Sequence, residues 1–213
     1  MGILTPCPAT TALTAIIVNG CKEDIGQVQR VMFQRIYKAD GTLNTITIAS
    51  EDPTLKATWT ALTAAADSTK VVVSPIIENP EFEAGEARTY GGGNETVGGE
   101  EIILGREHTG FKGRINRAPQ SQIKSLKSLM VESIGVFLID EHGRIIMQND
   151  GKGTPIDYLP IPIQTFFVSD KNPGGRDAPD YNMLSFKLKP NWSDNLQIVT
   201  PAFDAYAELL ITS

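Results

Sequence analysis

The chain has 213 residues, of which 41% are hydrophobic and 21% charged, so it can bury a real core and is not a disordered polymer. A net charge of −6 speaks against a nucleic-acid binder that works through bulk charge, although it suits a surface past which DNA slides without adhering. No stretch approaches the ~20 apolar residues that a membrane-spanning helix needs, so the expectation is a soluble protein with no membrane partner.

Nineteen glycines and thirteen prolines favour turns, and therefore β structure over a helical bundle. Cys7 and Cys21 stand outside any CxxC-type spacing, which argues against a zinc site and for two free thiols. Val18-Asn19-Gly20-Cys21 is similar to a lipoprotein cleavage box, but no Lys or Arg precedes it and Pro6 and Pro8 interrupt it. Residues 1 to about 26 are therefore expected to form a terminal arm or first strand.

Gln27 to Tyr37 alternates: Val28, Arg30, Met32, Gln34 and Ile36 take one face, Val31, Phe33, Arg35 and Tyr37 the other, which predicts a strand. Asp40-Gly41 is a turn, and Leu43 to Ala49 returns as a second extended run. Asp52 and Pro53 open a predicted helix carrying Leu55, Trp59 and Leu62 on one face. Lys70 to Ile77 is β-branched and reads as a strand, placed near an edge by Pro75. From Asn79 to Gly99 no apolar period survives, and the glycines at 91–93 and 98–99 predict a long inserted loop.

Strands are predicted again over Glu101–Leu104 and Phe111–Ile115, then a second helix over Pro119–Glu132 with Ile123, Leu126, Leu129 and Met130 on its apolar face. Ile134–Ile139, the turn Asp140-Glu141-His142-Gly143 and Arg144–Gln148 form a clear hairpin. Ile161–Val168, Met183–Leu188 and Tyr206–Ile211 complete the strands, with a turn-rich loop at Asp170–Asp180. The sum is one domain over residues 1–213, α+β and mostly β, an antiparallel sandwich or partial barrel flanked by one or two short helices.

Motifs for chemistry fail on spacing. The glycine run at 91–99 lacks the lysine and Ser/Thr of a phosphate loop and leads into an acidic strand rather than a helix. His108 and His142 each follow a glutamate, but neither has a third ligand or a nucleophile placed with it. Asp170, Asp177 and Asp180 have no regular ligand period. No catalytic residue, metal or cofactor is expected.

Charge segregation is the stronger signal. Glu78, Glu81, Glu83, Glu86, Glu95, Glu100 and Glu101 crowd the first long excursion, and Arg106, Lys112, Arg114, Arg117, Lys124 and Lys127 follow directly. This predicts a head-to-tail contact in which one copy's acidic loop meets the next copy's basic patch. The subunit-interaction candidates are Glu81, Glu83, Glu86, Tyr90, Glu95, Arg106, Lys112, Arg114 and Arg117.

A β-sandwich of this length with a flanking helix, a glycine-rich excursion and flexible arms resembles the tail tube proteins of long-tailed bacteriophages. The runs Cys21-Lys22-Glu23-Asp24-Ile25-Gly26 through Gln34-Arg35-Ile36-Tyr37, and Tyr90-Gly91-Gly92-Gly93-Asn94-Glu95-Thr96, are similar to virion structural proteins of phages from Bacteroidetes-type hosts. The resemblance implies hexameric rings of this chain stacked into a hollow tube within the virion, assembled in the bacterial cytoplasm. It also implies contacts with other tail and neck proteins, and DNA passing through the lumen without specific binding. The second helix departs from the single main helix usual in that family. It leaves a capsid decoration, tail-completion or head–tail adaptor role as the alternative.

Overall fold

The computed structural model describes residues 12, 15–16, 24–152 and 156–209. Cys7, Cys21 and most of the expected N-terminal arm lie outside the described residues.

The elements are β1 (Val28–Arg35), β2 (Ile46–Thr47), α1 (Lys56–Ala64), β3 (Val71–Val73), β4 (Glu78–Glu83), β5 (Ala87–Gly91), β6 (Glu101–Arg106), β7 (Thr109–Asn116), α2 (Gln120–Ser128), β8 (Ile134–Asp140), β9 (Ile145–Asn149), β10 (Asp157–Leu159), β11 (Ile161–Val168), β12 (Tyr181–Leu188), β13 (Leu196–Val199) and α3 (Ala205–Glu208). This is the mostly β, antiparallel α+β architecture that the turn-rich, alternating sequence predicts. The chain divides into two compact units, a larger one from Ile25–Gly85 and His108 onward, and a smaller one whose described elements lie within Glu86–Glu107.

In the larger unit β8 is the organising strand. One side pairs along its length with β1, from Val28 opposite Asp140 to Arg35 opposite Ile134. Its other side is shared: Gly135 and Val136 meet Pro162 and Ile161 of β11, while Leu138 and Ile139 meet β9. β3 extends the β1 side, and β10, β2 and β13 extend the β9 side. Beyond Ile161 and Pro162, β11 leaves this sheet and pairs with β12, which continues through β7 to β4. The register slips between Gln164 and Phe167, with Thr165 at φ 49°, a bulge of the kind that lets one strand serve two sheets. Gly135 is required where β11 joins, because a Cβ there would stand 2.9 Å from Pro160 Cβ and 3.0 Å from the Ile161 carbonyl oxygen.

Two cores result, one on each face of the β8 sheet. Val31, Phe33, Val136, Leu138, Phe111, Leu184 and Phe186 fill the space between the sheets, closed by Ile123 and Leu126 of α2. Met32, Phe137, Ile139, Ile145 and Met147 face the other way, under Trp59 and Leu62 of α1 and Ala205 of α3. Alternate residues of β8 supply opposite cores, as the period of a strand dictates.

Several expectations are corrected. Val28 joins the core of Val31 and Phe33 rather than that of Met32, because the β1 register shifts between Val28 and Arg30. The first helix begins at Lys56. Asp52 instead accepts the backbone N–H and hydroxyl of Thr54, an Asx-type turn ahead of the helix, and Leu55 is exposed. Asn79–Gly99 is not a loop: it contains most of β4, all of β5 and a glycine-rich turn. The strand expected over Tyr206–Ile211 is a helical turn as far as Glu208, capped by Asp204, whose carboxylate accepts the N–H groups of Tyr206 and Ala207; residues 210 and 211 lie outside the described residues. β10 and β13 are too short to leave a period.

Phe137 is fully buried, with its ring 5.1 Å from that of Trp59 at 81°. Phe137→Ala is expected to cost about 3–5 kcal/mol of unfolding free energy, read by urea denaturation followed by Trp fluorescence.

Candidate functional site

The charge segregation predicted from sequence resolves into pairs inside one chain. Among the described residues β4 pairs only with β7, and this ladder sets Glu81 opposite Lys112 and Glu78 opposite Arg114. Lys112 Nζ is 3.4 Å from Glu83 Oε2, and the Asn116 amide donates to the Glu78 carboxylate. The Arg114 guanidinium lies 4.8 Å over the Tyr181 ring. Antiparallel pairing brings together acids and bases about thirty residues apart, so Glu81, Glu83, Lys112 and Arg114 form one mixed edge rather than opposite poles. Arg117 follows β7 at φ 51°, with its backbone N–H on the Asp180 carbonyl.

The other candidates belong to the smaller unit, an antiparallel pair of β5 and β6. Glu86 closes its base, where its carbonyl accepts the Glu107 N–H at 2.8 Å. Tyr90 stands opposite Ile102, and Arg106 opposite Ala87. The hairpin exposes apolar side chains: Tyr90 is 53%, Ile103 68%, Leu104 60% and Val97 88% exposed. Its connecting turn is organised by Thr96, whose hydroxyl accepts the Gly92 N–H and donates to the Glu100 carbonyl. Gly91, at φ 105°, is obligatory there, since a Cβ would fall 2.7 Å from the Glu100 carbonyl oxygen. Glu95, Glu100 and Glu101 are all exposed on this turn.

A second polar surface was not foreseen. Beside α2 a groove of about 510 Å³ is lined by Ile123, Lys124, Lys127, Asp170, Lys171 and Asn182, among others. Lys127 pairs with Asp170, and Lys171 Nζ is 2.6 Å from Asp180 Oδ2. These lysines hold both carboxyls below their usual range, first through the hydrogen bond each donates. Asn182 is 1% exposed, and its amide oxygen has no hydrogen-bond partner among the described residues. Lys124 and Lys127 stood out in the sequence as part of the basic stretch. Lys171 and Asn182 lie some fifty residues further on, and no local pattern ties them to α2.

The β8–β9 turn holds a buried carboxylate. Asp140 accepts the N–H groups of His142 and Arg144 at 3.0 and 2.9 Å and the Arg144 Nε at 2.7 Å. Its second oxygen also accepts the Gly26 N–H at 3.3 Å, fixing the chain just ahead of β1. His142 Nε2 lies 3.8 Å from Glu141 Oε1, so the neighbouring glutamate approaches the imidazole. Among the described residues no group of three or more His, Cys, Asp or Glu side chains could hold a metal ion, and no helix is long and apolar enough to cross a membrane.

No protein-family model matches the chain, and no curated protein matches it.

Two outcomes test these surfaces. Lys112→Glu places like charges across the β4–β7 ladder and is expected to cost about 1 kcal/mol, read as faster amide exchange in β4 than in β8. Because the Asp170 and Asp180 values are depressed, their pairs contribute fully above the ordinary carboxylate range and are lost as pH falls through the lowered values. Carboxyl NMR titration is expected to give both midpoints below those of the unfolded chain.

Proposed function

We propose that the protein is a self-assembling structural subunit of a virion, forming the stacked rings of a long-tailed phage tail tube. The observation that carries this reading is the β5–β6 hairpin. A two-stranded sheet is marginal in water unless another surface covers it, and this one exposes Tyr90, Val97, Ile103 and Leu104. Further copies of the chain supply that cover when strands and apolar faces meet between subunits. The resemblance in sequence pattern points the same way, and the mostly β, antiparallel fold with a few short helices is compatible with it. The acidic balance of the chain suits a lumen through which DNA moves without adhering.

Electron microscopy of the purified chain at rising concentration tests the proposal, with rings or tubes as the expected product. Replacing Tyr90, Ile103 and Leu104 together by Ser is expected to abolish assembly while leaving the thermal unfolding of the larger unit within about 1 kcal/mol of the parent. A parent chain that stays monomeric at every concentration, or that forms only trimers bound to heads, overturns the tube assignment.

A further inference from the structure

The β4–β7 ladder absorbs much of the charge that the sequence set apart, and what it leaves over falls on two surfaces of opposite sign. One is the hairpin turn, where Glu95, Glu100 and Glu101 are exposed and no Lys or Arg occurs from Gly91 to Glu101. The other is the α2 groove, where Lys127 is paired with Asp170 and Lys171 with Asp180, which leaves Lys124 as its surplus positive charge. Lys124 is exposed and forms no ion pair among the described residues.

We infer that the glycine-rich hairpin turn of one copy docks in the α2 groove of a second copy. This rests on the assembly reading above and names the surfaces through which copies meet. The fit is chemical as well as electrostatic. The turn is already shaped by the Thr96 hydroxyl, so little ordering entropy is lost on docking. A Cβ at Gly93 or Gly98 would meet nothing within 4 Å, so the backbone at these positions is unobstructed and can approach a partner closely. Asn182 lines the groove with a side chain that is 1% exposed and whose amide oxygen has no donor among the described residues, so a partner backbone N–H would satisfy it where the wall parts on docking. Ile123 offers an apolar floor, and the lysines flank the three glutamates. Opposite potentials of this kind set register and orientation, and a contact between two different surfaces propagates from copy to copy.

The test reverses charge on each side separately and then on both. The reagents are the full-length chain, Lys124→Glu/Lys127→Glu, Glu95→Lys/Glu100→Lys/Glu101→Lys, and the chain carrying all five changes. Sedimentation velocity gives the threshold concentration for assembly, electron microscopy the product, and circular dichroism the fold. Each one-sided variant is expected to raise the threshold at least about tenfold, and the five-fold variant to return within about threefold of the parent. Raising salt is expected to raise the parent threshold, because the pairs are exposed. Lys124→Glu alone, which breaks no ion pair within the chain, checks that the loss is not caused by releasing Asp170.

If either one-sided variant assembles at the parent threshold, the contact lies elsewhere while the tube reading stands. If the five-fold variant is natively folded yet fails to assemble, these two surfaces are not partners. A parent chain that never assembles overturns the assembly reading itself.

Discussion

The structure depends on burying β8 on both of its faces. Every residue from Ile134 to Asp140 is buried, and alternate side chains serve two different cores. A strand in that position cannot slip by one residue without exchanging Val136 and Leu138 for Phe137 and Ile139, which differ in volume and in neighbours. β1, β9 and β11 take their register from it. Asp140 ends the strand with a carboxylate that is saturated by backbone and guanidinium donors, so the turn and the chain entering β1 are tied at one point.

Charge follows the same economy. In the linear chain the acids precede the bases, which reads as two poles. In the fold, β4 and β7 interleave them, while the hairpin turn keeps a negative surplus and the α2 groove keeps Lys124 over. A surface of mixed charge is solvated and indifferent to copies of itself, whereas a surplus singles out where an oppositely charged partner gains most. The proposed contact between copies therefore centres on Glu95, Glu100, Glu101 and Lys124, while Lys127 and Lys171 already hold Asp170 and Asp180 within the chain.

What could be read in advance follows from length and burial. The Ile134–Gln148 hairpin, the strand Ile161–Val168 and α2 with its following turn were legible because each has a full apolar period or a clear turn. β4 and β5 were hidden because almost all of their residues are exposed, so neither leaves an apolar period to detect. α3 was hidden by Tyr206 and Leu209, which suit a strand equally well, until the Asp204 cap is counted. The groove was half visible: the α2 lysines stand in the sequence, but Lys171 and Asn182 reach them only through the β11–β12 connection. The direction of the charge pairing was missed, because two facing strands cannot be told from two facing molecules on one sequence.

β4 ends its sheet with Pro80 inside the strand and Glu78, Glu81 and Glu83 along it. A bare strand border is a template for amyloid-like clumping, and a missing N–H beside clustered negative charge spoils that template. Blunting this border lowers the tendency of any two copies to join side by side, and so leaves the molecule dispersed and refoldable.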